Sequence, residues 1–388
     1  MNKKKKICGL TTQPITIKAF MLENFKYVAE HGWVPYAISQ PTEMLTKEML
    51  GPVNYIPVNI KWGNVSPWEV AKTVWRLYKI FKKERFDVIQ YATSNAALYA
   101  SIAGWMARIP VRIYCQWGIS YTDFTGIKLW FYKTAEKVTC LFSTSVQPDS
   151  KANLKFSLEE GLYSAKKGSV LFNGSACGAD MVKYDIKKKK EWAEEISEGY
   201  GTRKYRKVFG YVGRVVPEKG INELLEAFMA INDQENLLMI VGPTEDVGRL
   251  NQDLYQKSLS QENIVYVGPV PNAAKFFAVF DYMMLPSYRE GFGMTVLEAA
   301  AMGVPSIISN IKGPTDLIRD GFNGLVCEVK SAESLGKTML KALHLSDEEY
   351  KVLCDNAYQE VLEKFDAKKF KQLFLENRNR LLDNAYFN

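Results

Sequence analysis

An α/β protein built from two doubly wound halves is the fold class this sequence predicts, and three observations predict it. Apolar runs of strand length alternate along the chain with helical patterns of about 10–15 residues, the signature of parallel sheets covered on both faces. The alternation stops once, in the charged stretch "DIKKKKEWAEEISEGYGTRKYRK" (185–207), and then restarts with the same rhythm. A length of 388 residues with 47% hydrophobic and 24% charged side chains is enough for two or three folded domains.

In the first half, 7–10 reads as a short strand, 17–30 as a helix stopped by Gly32, and 34–38 as a second strand. Ser66 as N-cap and Pro67 at the first helical position open a helix over 67–84, followed by a strand at 88–91. A helix at 96–107, a strand at 111–116, a helix at 128–137 and strands near 140–145 and 169–172 complete this half. The second half gives strands at 208–212, 237–241, 264–267, 282–285, 306–309 and 324–327, with helices at 221–230, 247–259, 273–279 and 295–302. The expected division is therefore a Rossmann-like domain over 1–185, a linker over 186–205, a second Rossmann-like domain over 206–365, and a final helix in 366–388 that crosses back to the first domain. Ligands of such folds sit outside the carboxyl ends of the strands, so the expected site is a cleft between the halves.

Composition narrows the chemistry. Six cysteines lie far apart, with no CxxC pair and no Cys/His cluster at metal-ligand spacing, and read as reduced thiols. Only two histidines are present, which counts against a Ser-His or Cys-His mechanism, and His31 before Gly32 reads as a helix cap. The most apolar window, 96–107, carries Ser101 and Gly104 and ends at Arg108, too short to span a bilayer. Lys3–Lys6 imitate the start of a signal peptide, but only 7–10 follow as an apolar run, so the chain reads as cytoplasmic. Residues 1–185 hold 24 Lys and Arg against 14 Asp and Glu, whereas the remainder holds 26 against 29. A basic first half points to an anionic partner or a solvated basic face, and no nucleic-acid-binding motif accompanies it.

Two stretches carry chemistry. In "FGYVGRVVPEKGINELLEAF" (209–228) a strand ends at Gly213, the loop offers Arg214 and Lys219, and a helix follows. An arginine that grips two oxygens and a lysine point charge beside a helix amino terminus suit a diphosphate; neither the P-loop nor the GxGxxG pattern is present. In "SYREGFGMTVLEAAAMG" (287–303) Glu290 lies in a glycine loop and Glu298 about one turn into a helix. The glycines admit close backbone approach, and the amides of Phe292, Gly293, Met294, Thr295 and Val296 face a phosphate at the positive helix end. A carboxylate accepts hydrogen bonds only, which suits neighbouring hydroxyls. Phosphate between two such carboxylates describes a nucleotide-sugar, ribose on one side and hexose on the other. Ala299–Ala301 serve close packing beneath it.

The combination "GYVGRVVPEKG", "PSYREGFGMTVLEAAAMGVPSIISNIKGPTDLIRDGFNGLV" and the Glu290-x7-Glu298 spacing resembles the retaining glycosyltransferases of family 4, which have the GT-B fold. "LFNGSACGAD" (171–180) and "NIKGPTDLI" (310–318) look like the branch that builds bacterial capsules, exopolysaccharides and O-antigens. The resemblance implies that Arg214 and Lys219 bind and stabilise the donor diphosphate, Glu290 contacts the donor sugar, the amides of Gly291–Val296 hold sugar and phosphate, and Glu298 contacts ribose. It also implies a UDP-linked hexose donor, retention of anomeric configuration and a saccharide acceptor on a lipid carrier. Charge on the leaving diphosphate is met by Arg214, Lys219 and the helix end, so no metal or other cofactor is expected, and no DxD motif appears.

The sequence departs from the family in "IYCQWGISY" (113–121), where Trp117 before Gly118 stands in place of a common histidine near the breaking bond. Indole offers one donor and no acceptor, so it does not replace imidazole; Trp117 either packs on a sugar lacking a 6-hydroxyl or fills the core. In "SPWEVAKTVWRLYKIFKKERF" (66–86) Trp68, Trp75, Tyr78 and Phe81 alternate with lysines and Arg76, and "GIKLWFYKTAEK" (126–137) repeats that composition. Such helices either bind an anionic membrane face or present one face to the sheet and one to water. Two competing functions share the donor features: a nucleotide-sugar epimerase of related fold, which needs acid and base groups across the cleft, and a non-catalytic nucleotide-sugar binder.

Overall fold

The computed structural model describes residues 4–61, 63, 66–244 and 246–387; Lys3 of the basic run lies outside them. The chain divides into two compact units, Met1–Cys177 with Lys368–Asn388, and Gly178–Ala367.

The first unit is a six-stranded sheet of β1 (Lys6–Leu10), β2 (Val34–Ser39), β3 (Asn54–Pro57), β4 (Val88–Tyr91), β5 (Val111–Gln116) and β6 (Ser145–Pro148). Their order is β3-β2-β1-β4-β5-β6 and every pairing is parallel. On one face, Val74, Leu77 and Phe81 of helix Pro67–Glu84, the alanines of helix Ser94–Met106 and Cys140 of helix Gly126–Phe142 pack on Leu10, Ile89, Tyr91 and Tyr114. Ser66 accepts from the Glu69 amide and Pro67 opens the first of these helices, as its sequence predicts. On the other face, Ile17, Met21 and Phe25 share a core with Phe370, Phe374 and Leu382 of the final helix. That helix, Ala367–Phe387, is pinned by the buried Arg378, whose Nη2 donates to Gln90 Oε1 (2.9 Å) and Nη1 to Gln147 Oε1 (2.7 Å).

The second unit repeats the plan with β7 (Lys207–Val212), β8 (Asn236–Val241), β9 (Ile264–Gly268), β10 (Tyr282–Leu285), β11 (Ser306–Ser309) and β12 (Gly324–Cys327), in the order β12-β11-β10-β7-β8-β9, all parallel. In both sheets the first strand sits centrally with later strands added on both sides, so each has one point where the order reverses.

The structure corrects several sequence expectations. The stretch 186–205 is not a plain linker: Ile186–Lys188 forms a 3₁₀ turn and Lys189–Tyr200 a helix that buries Trp192 and Ile196 in the core of the second unit. Aromatic and β-branched residues four apart supply the apolar stripe that a count of aliphatics overlooks. Residues 178–185 also belong to the second unit, because Ala179 N donates to Phe365 O (2.8 Å) and Ala367 N to Ala179 O (2.9 Å). The strand expected near 140–145 lies at Ser145–Pro148, since 138–142 finishes a helix with Thr139 and Cys140 turned inward; near 169–172 only a bridge from Gly168 to Val146 forms. Edge strand β3 and the helices Lys151–Glu159, Ala332–Leu343 and Asp347–Lys364 go beyond the sequence reading. The segment 247–259 breaks into a 3₁₀ turn and helix Gln252–Leu259, capped by Asn251.

Candidate active site

In the second sheet, β7 and β10 are far apart in sequence yet hydrogen-bonded neighbours, with Phe209 opposite Tyr282 and Gly210 opposite Met283. This is where the strand order reverses, so the loops leaving their carboxyl ends flank a crevice of the kind that receives ligands in doubly wound sheets. Those loops are the two stretches singled out from the sequence.

The first loop leaves β7 at Gly213. Its course is fixed by Gly213 N donating to Val241 O (2.9 Å), Val215 N to Pro243 O (3.0 Å), and the buried Tyr211 hydroxyl donating to Arg214 O (2.7 Å). Burial, and then the nearby Glu290 charge, push the Tyr211 phenol far above its ordinary range, so it stays a donor at all ordinary pH. Arg214 is exposed. A 3₁₀ turn, Pro217–Lys219, then delivers Lys219 and ends at Gly220 before helix Ile221–Ile231.

The second loop leaves β10 at Pro286 and is zipped to the first. Tyr288 N donates to Glu218 O (3.0 Å), and a Cβ on Gly220, whose φ is +72°, would stand 2.0 Å from Pro286 O. Only glycine permits that approach. Within this frame Lys219 Nζ donates to Glu290 Oε1 at 2.6 Å, and Ser287 Oγ donates to the same oxygen at 2.9 Å. The expected diphosphate lysine and sugar carboxylate thus meet directly, with side chains only 24% and 14% exposed.

Helix Met294–Ala301 starts one residue earlier than its sequence pattern indicates. Gly293 opens it with no side-chain cap, which leaves its first amides to other acceptors. Val296 departs from the expected set, because its amide already donates to Gly293 O (2.9 Å) and its side chain is fully buried. Phe292 is likewise core, packed at a tilt against Phe365 with ring centroids 5.3 Å apart. The loop after β11 supports the glycine loop from the side: a Cβ on Gly313 would lie 2.2 Å from Gly291 O.

Glu298 sits one turn into this helix, partly covered. Desolvation raises its pKa, opposed by the charge of Lys183 and a hydrogen bond from Tyr184. Lys183 Nζ in turn donates to Tyr184 Oη (2.9 Å). Lys183, Tyr184 and Ser287 are site residues that motif reading missed. Ser287 was within the quoted stretch, whereas Lys183 and Tyr184 come from the segment reassigned to this unit and carry no local signal. Lys189 is another: its Nζ donates to Met302 O (2.8 Å), a cation placed on the carboxyl end of the helix that carries Glu298.

In the first unit, Trp117 and Gly118 follow β5, as expected. Trp117 is half-buried, edge-on to Phe20 with centroids 5.3 Å apart and packed against the core that includes the final helix. Directly before it, Gln116 Nε2 donates to Glu136 Oε1 (2.6 Å) and Tyr114 Oη to Glu136 Oε2 (3.1 Å). Burial raises the Glu136 carboxyl to about 6.

Comparison with known proteins puts this geometry in context. Residues 193–360, which contain both loops, match the family described as glycosyl transferases group 1. The chain is 26% identical over 278 residues to the capsular polysaccharide biosynthesis glycosyltransferase CapM of Staphylococcus aureus, covering 70% of this chain and 71% of that one. It is 24% identical over 390 residues to the UDP-Gal:α-D-GlcNAc-diphosphoundecaprenol α-1,3-galactosyltransferase of Escherichia coli, covering 96% and 97%. Among solved structures, a glycosyltransferase from Rickettsia africae superposes with a TM-score of 0.81 at 20% identity, covering 99% of this chain and 100% of that one. The HepE protein of Anabaena, crystallised with UDP and glucose, superposes with a TM-score of 0.79 at 18% identity, covering 97% and 99%.

Proposed function

We propose that this chain, whose residues 193–360 match the group 1 glycosyl transferases, is an enzyme of that family that moves a hexose from a UDP-linked donor to a saccharide carried on a lipid diphosphate, with retention of configuration, in the synthesis of a cell-surface polysaccharide. The observation that carries this reading is the Lys219–Glu290 contact of 2.6 Å at the switch point of the second sheet, which puts a phosphate-seeking cation and a hydroxyl-seeking carboxylate side by side. A relative that spans nearly the whole chain is named for a UDP-galactose donor and a diphosphoundecaprenol-linked acceptor, which supports both substrate classes.

In this reading Arg214 and Lys219 grip the diphosphate. As the bond from the anomeric carbon to the diphosphate lengthens, negative charge grows on the leaving oxygens, and cations brought to them lower the barrier. The uncapped amides of Met294 and Thr295 add the positive end of their helix. Glu290, oriented by Lys219 and Ser287, accepts hydrogen bonds from the sugar hydroxyls; Glu298, oriented by Tyr184, accepts from ribose. The proton of the acceptor hydroxyl passes to a donor phosphate oxygen, a route that needs no histidine beside Gly118.

The first unit then takes the acceptor at an anionic membrane face. No helix among the described residues is long and apolar enough to cross a bilayer. Helix Pro67–Glu84 exposes Trp68 (79%) and Trp75 (51%) among Lys72, Arg76, Lys79 and Lys82, the composition of a surface that lies in the headgroup layer. Acceptor-dependent release of UDP from a UDP-hexose tests the function. UDP and free sugar without acceptor would instead mark an epimerase, and tight binding without turnover a nucleotide-sugar binder.

A further inference from the structure

Helix Gly126–Phe142 carries a second surface that the donor site does not use. Its outward residues Ile127 (86% exposed), Trp130 (67%), Phe131 (62%), Thr134, Lys137 and Leu141 (67%) recur at helical spacing and form one stripe, apolar apart from Thr134 and Lys137. From Ile127 to Leu141 the stripe runs about 21 Å at 1.5 Å per residue. Few soluble helices leave this much aromatic and aliphatic surface in water without a partner.

The stripe ends in an open groove of about 390 Å³, lined by Lys137, Val138, Leu141, Leu162, Tyr163 and Lys167 among others. Its walls are mainly apolar, its floor includes the fully buried Cys140, and two lysines border it. Cations gather at this end. Lys167 Nζ donates to Cys140 O (3.1 Å) and Leu141 O (3.0 Å), and Arg112 Nε to Phe142 O (2.7 Å), so two cations are already anchored on the carboxyl end of the helix. The one carboxylate of the helix, Glu136, is buried on the opposite side under Gln116 and Tyr114. An apolar trough continuous with a membrane-type stripe and closed by cations complements a negatively charged amphiphile.

We propose that this groove seats one anionic phospholipid, an acyl chain lying against Val138, Leu141 and Leu162 and the phosphate held by Lys137 and the third N–H of Lys167. This deepens, and rests on, the reading that the first unit works at an anionic membrane, and it names the lipid contact that fixes helix Gly126–Phe142 there. The groove is distinct from the tryptophans of helix Pro67–Glu84, which make a general interfacial contact.

The test uses the full chain with monomeric dihexanoyl phosphatidylglycerol, followed by calorimetry, and with phosphatidylglycerol vesicles, followed by sedimentation. The wild type binds the monomer, while glycerophosphate alone and dihexanoyl phosphatidylcholine bind far more weakly. Leu141→Glu, at an exposed site, weakens monomer binding about tenfold or more, the loss expected for an apolar chain contact. Lys137→Gln weakens it about fivefold, as loss of one cation near an anionic headgroup should. Trp68→Ser with Trp75→Ser leaves monomer binding unchanged but lowers vesicle retention. Equal binding of phosphatidylcholine, wild-type affinity in Lys137→Gln, or displacement of the phospholipid by a polyprenyl-linked saccharide would overturn the proposal. Turnover of a UDP-sugar with a water-soluble acceptor reads the parent function separately: Leu141→Glu keeps it, and its absence in wild type would count against the transferase reading alone.

Discussion

Lys219 and Glu290 are joined by a 2.6 Å ion pair although 71 residues separate them, because β7 and β10 are neighbours only through the crossover of the sheet. The pair is partly shielded from water, and Ser287 adds a second donor to the same carboxylate oxygen. These bonds, with Tyr288 N donating to Glu218 O, hold the loops after β7 and β10 together. In the proposed function a donor diphosphate would share Lys219 with Glu290, so binding of phosphate and the setting of the sugar-facing carboxylate would be linked.

Lys219→Met should therefore lower kcat by roughly 10²–10³, the usual loss when one fixed donor to developing charge is removed. The substrate KM should change much less. Steady-state kinetics with a UDP-hexose separate the two, and a loss confined to KM would place Lys219 outside the reacting centre.

The two glutamates should fail in different ways. Glu290→Ala should abolish transfer while UDP affinity stays within about threefold, and Glu298→Ala should weaken UDP itself about tenfold or more, the scale of a charge-assisted hydrogen bond. Calorimetric titration of UDP against both variants distinguishes them.

Gly220→Ala should lower the melting temperature and impair UDP binding together. The new Cβ would meet Pro286 O at 2.0 Å in a backbone conformation with φ +72°, so the loops after β7 and β10 must part. A cost of about 2–4 kcal/mol is expected from strain plus clash. Thermal unfolding with and without UDP measures both effects.

Glu136 gives a pH signature in the first unit. Its folded pKa of about 6 lies above the unfolded carboxylate value, so the folded state binds the proton more tightly and stability falls as pH rises through about 4.5 to 6. The change amounts to about 2 kcal/mol. Glu136→Gln should remove this decline and leave the variant more stable than wild type at pH 7, provided Tyr114 turns its hydroxyl to accept. Melting temperatures across pH 4–8 report it.

Much of this site is legible in the sequence because each half of it is contiguous: a strand, a loop with Arg214 and Lys219, and a second strand, loop and helix with Glu290 and Glu298. What joins the halves is not local. The Ser287 and Lys219 bonds to one oxygen follow from strand order, and Tyr184 reaches Glu298 only because Ala179 and Phe365 tie its segment into the second unit. Charge also misleads. The lysine run 187–190 reads as linker, yet Lys189 caps the helix of Glu298 and Trp192 enters the core beside it. The helices of 332–364 carry a local signal in the Ser346–Glu349 capping box, present with both of its hydrogen bonds, but no candidate ligand residue.

The central claim is that the crevice between the loops of β7 and β10 takes a UDP-sugar and activates it for transfer. The most direct measurement is binding and acceptor-dependent turnover across a panel of UDP-, GDP- and ADP-hexoses, run in parallel on wild type and Glu290→Ala. The account predicts that UDP-hexoses bind most tightly, that one of them is turned over by wild type, and that Glu290→Ala still binds it without transfer. Equal affinity for all three bases, or full transfer by Glu290→Ala, would contradict it.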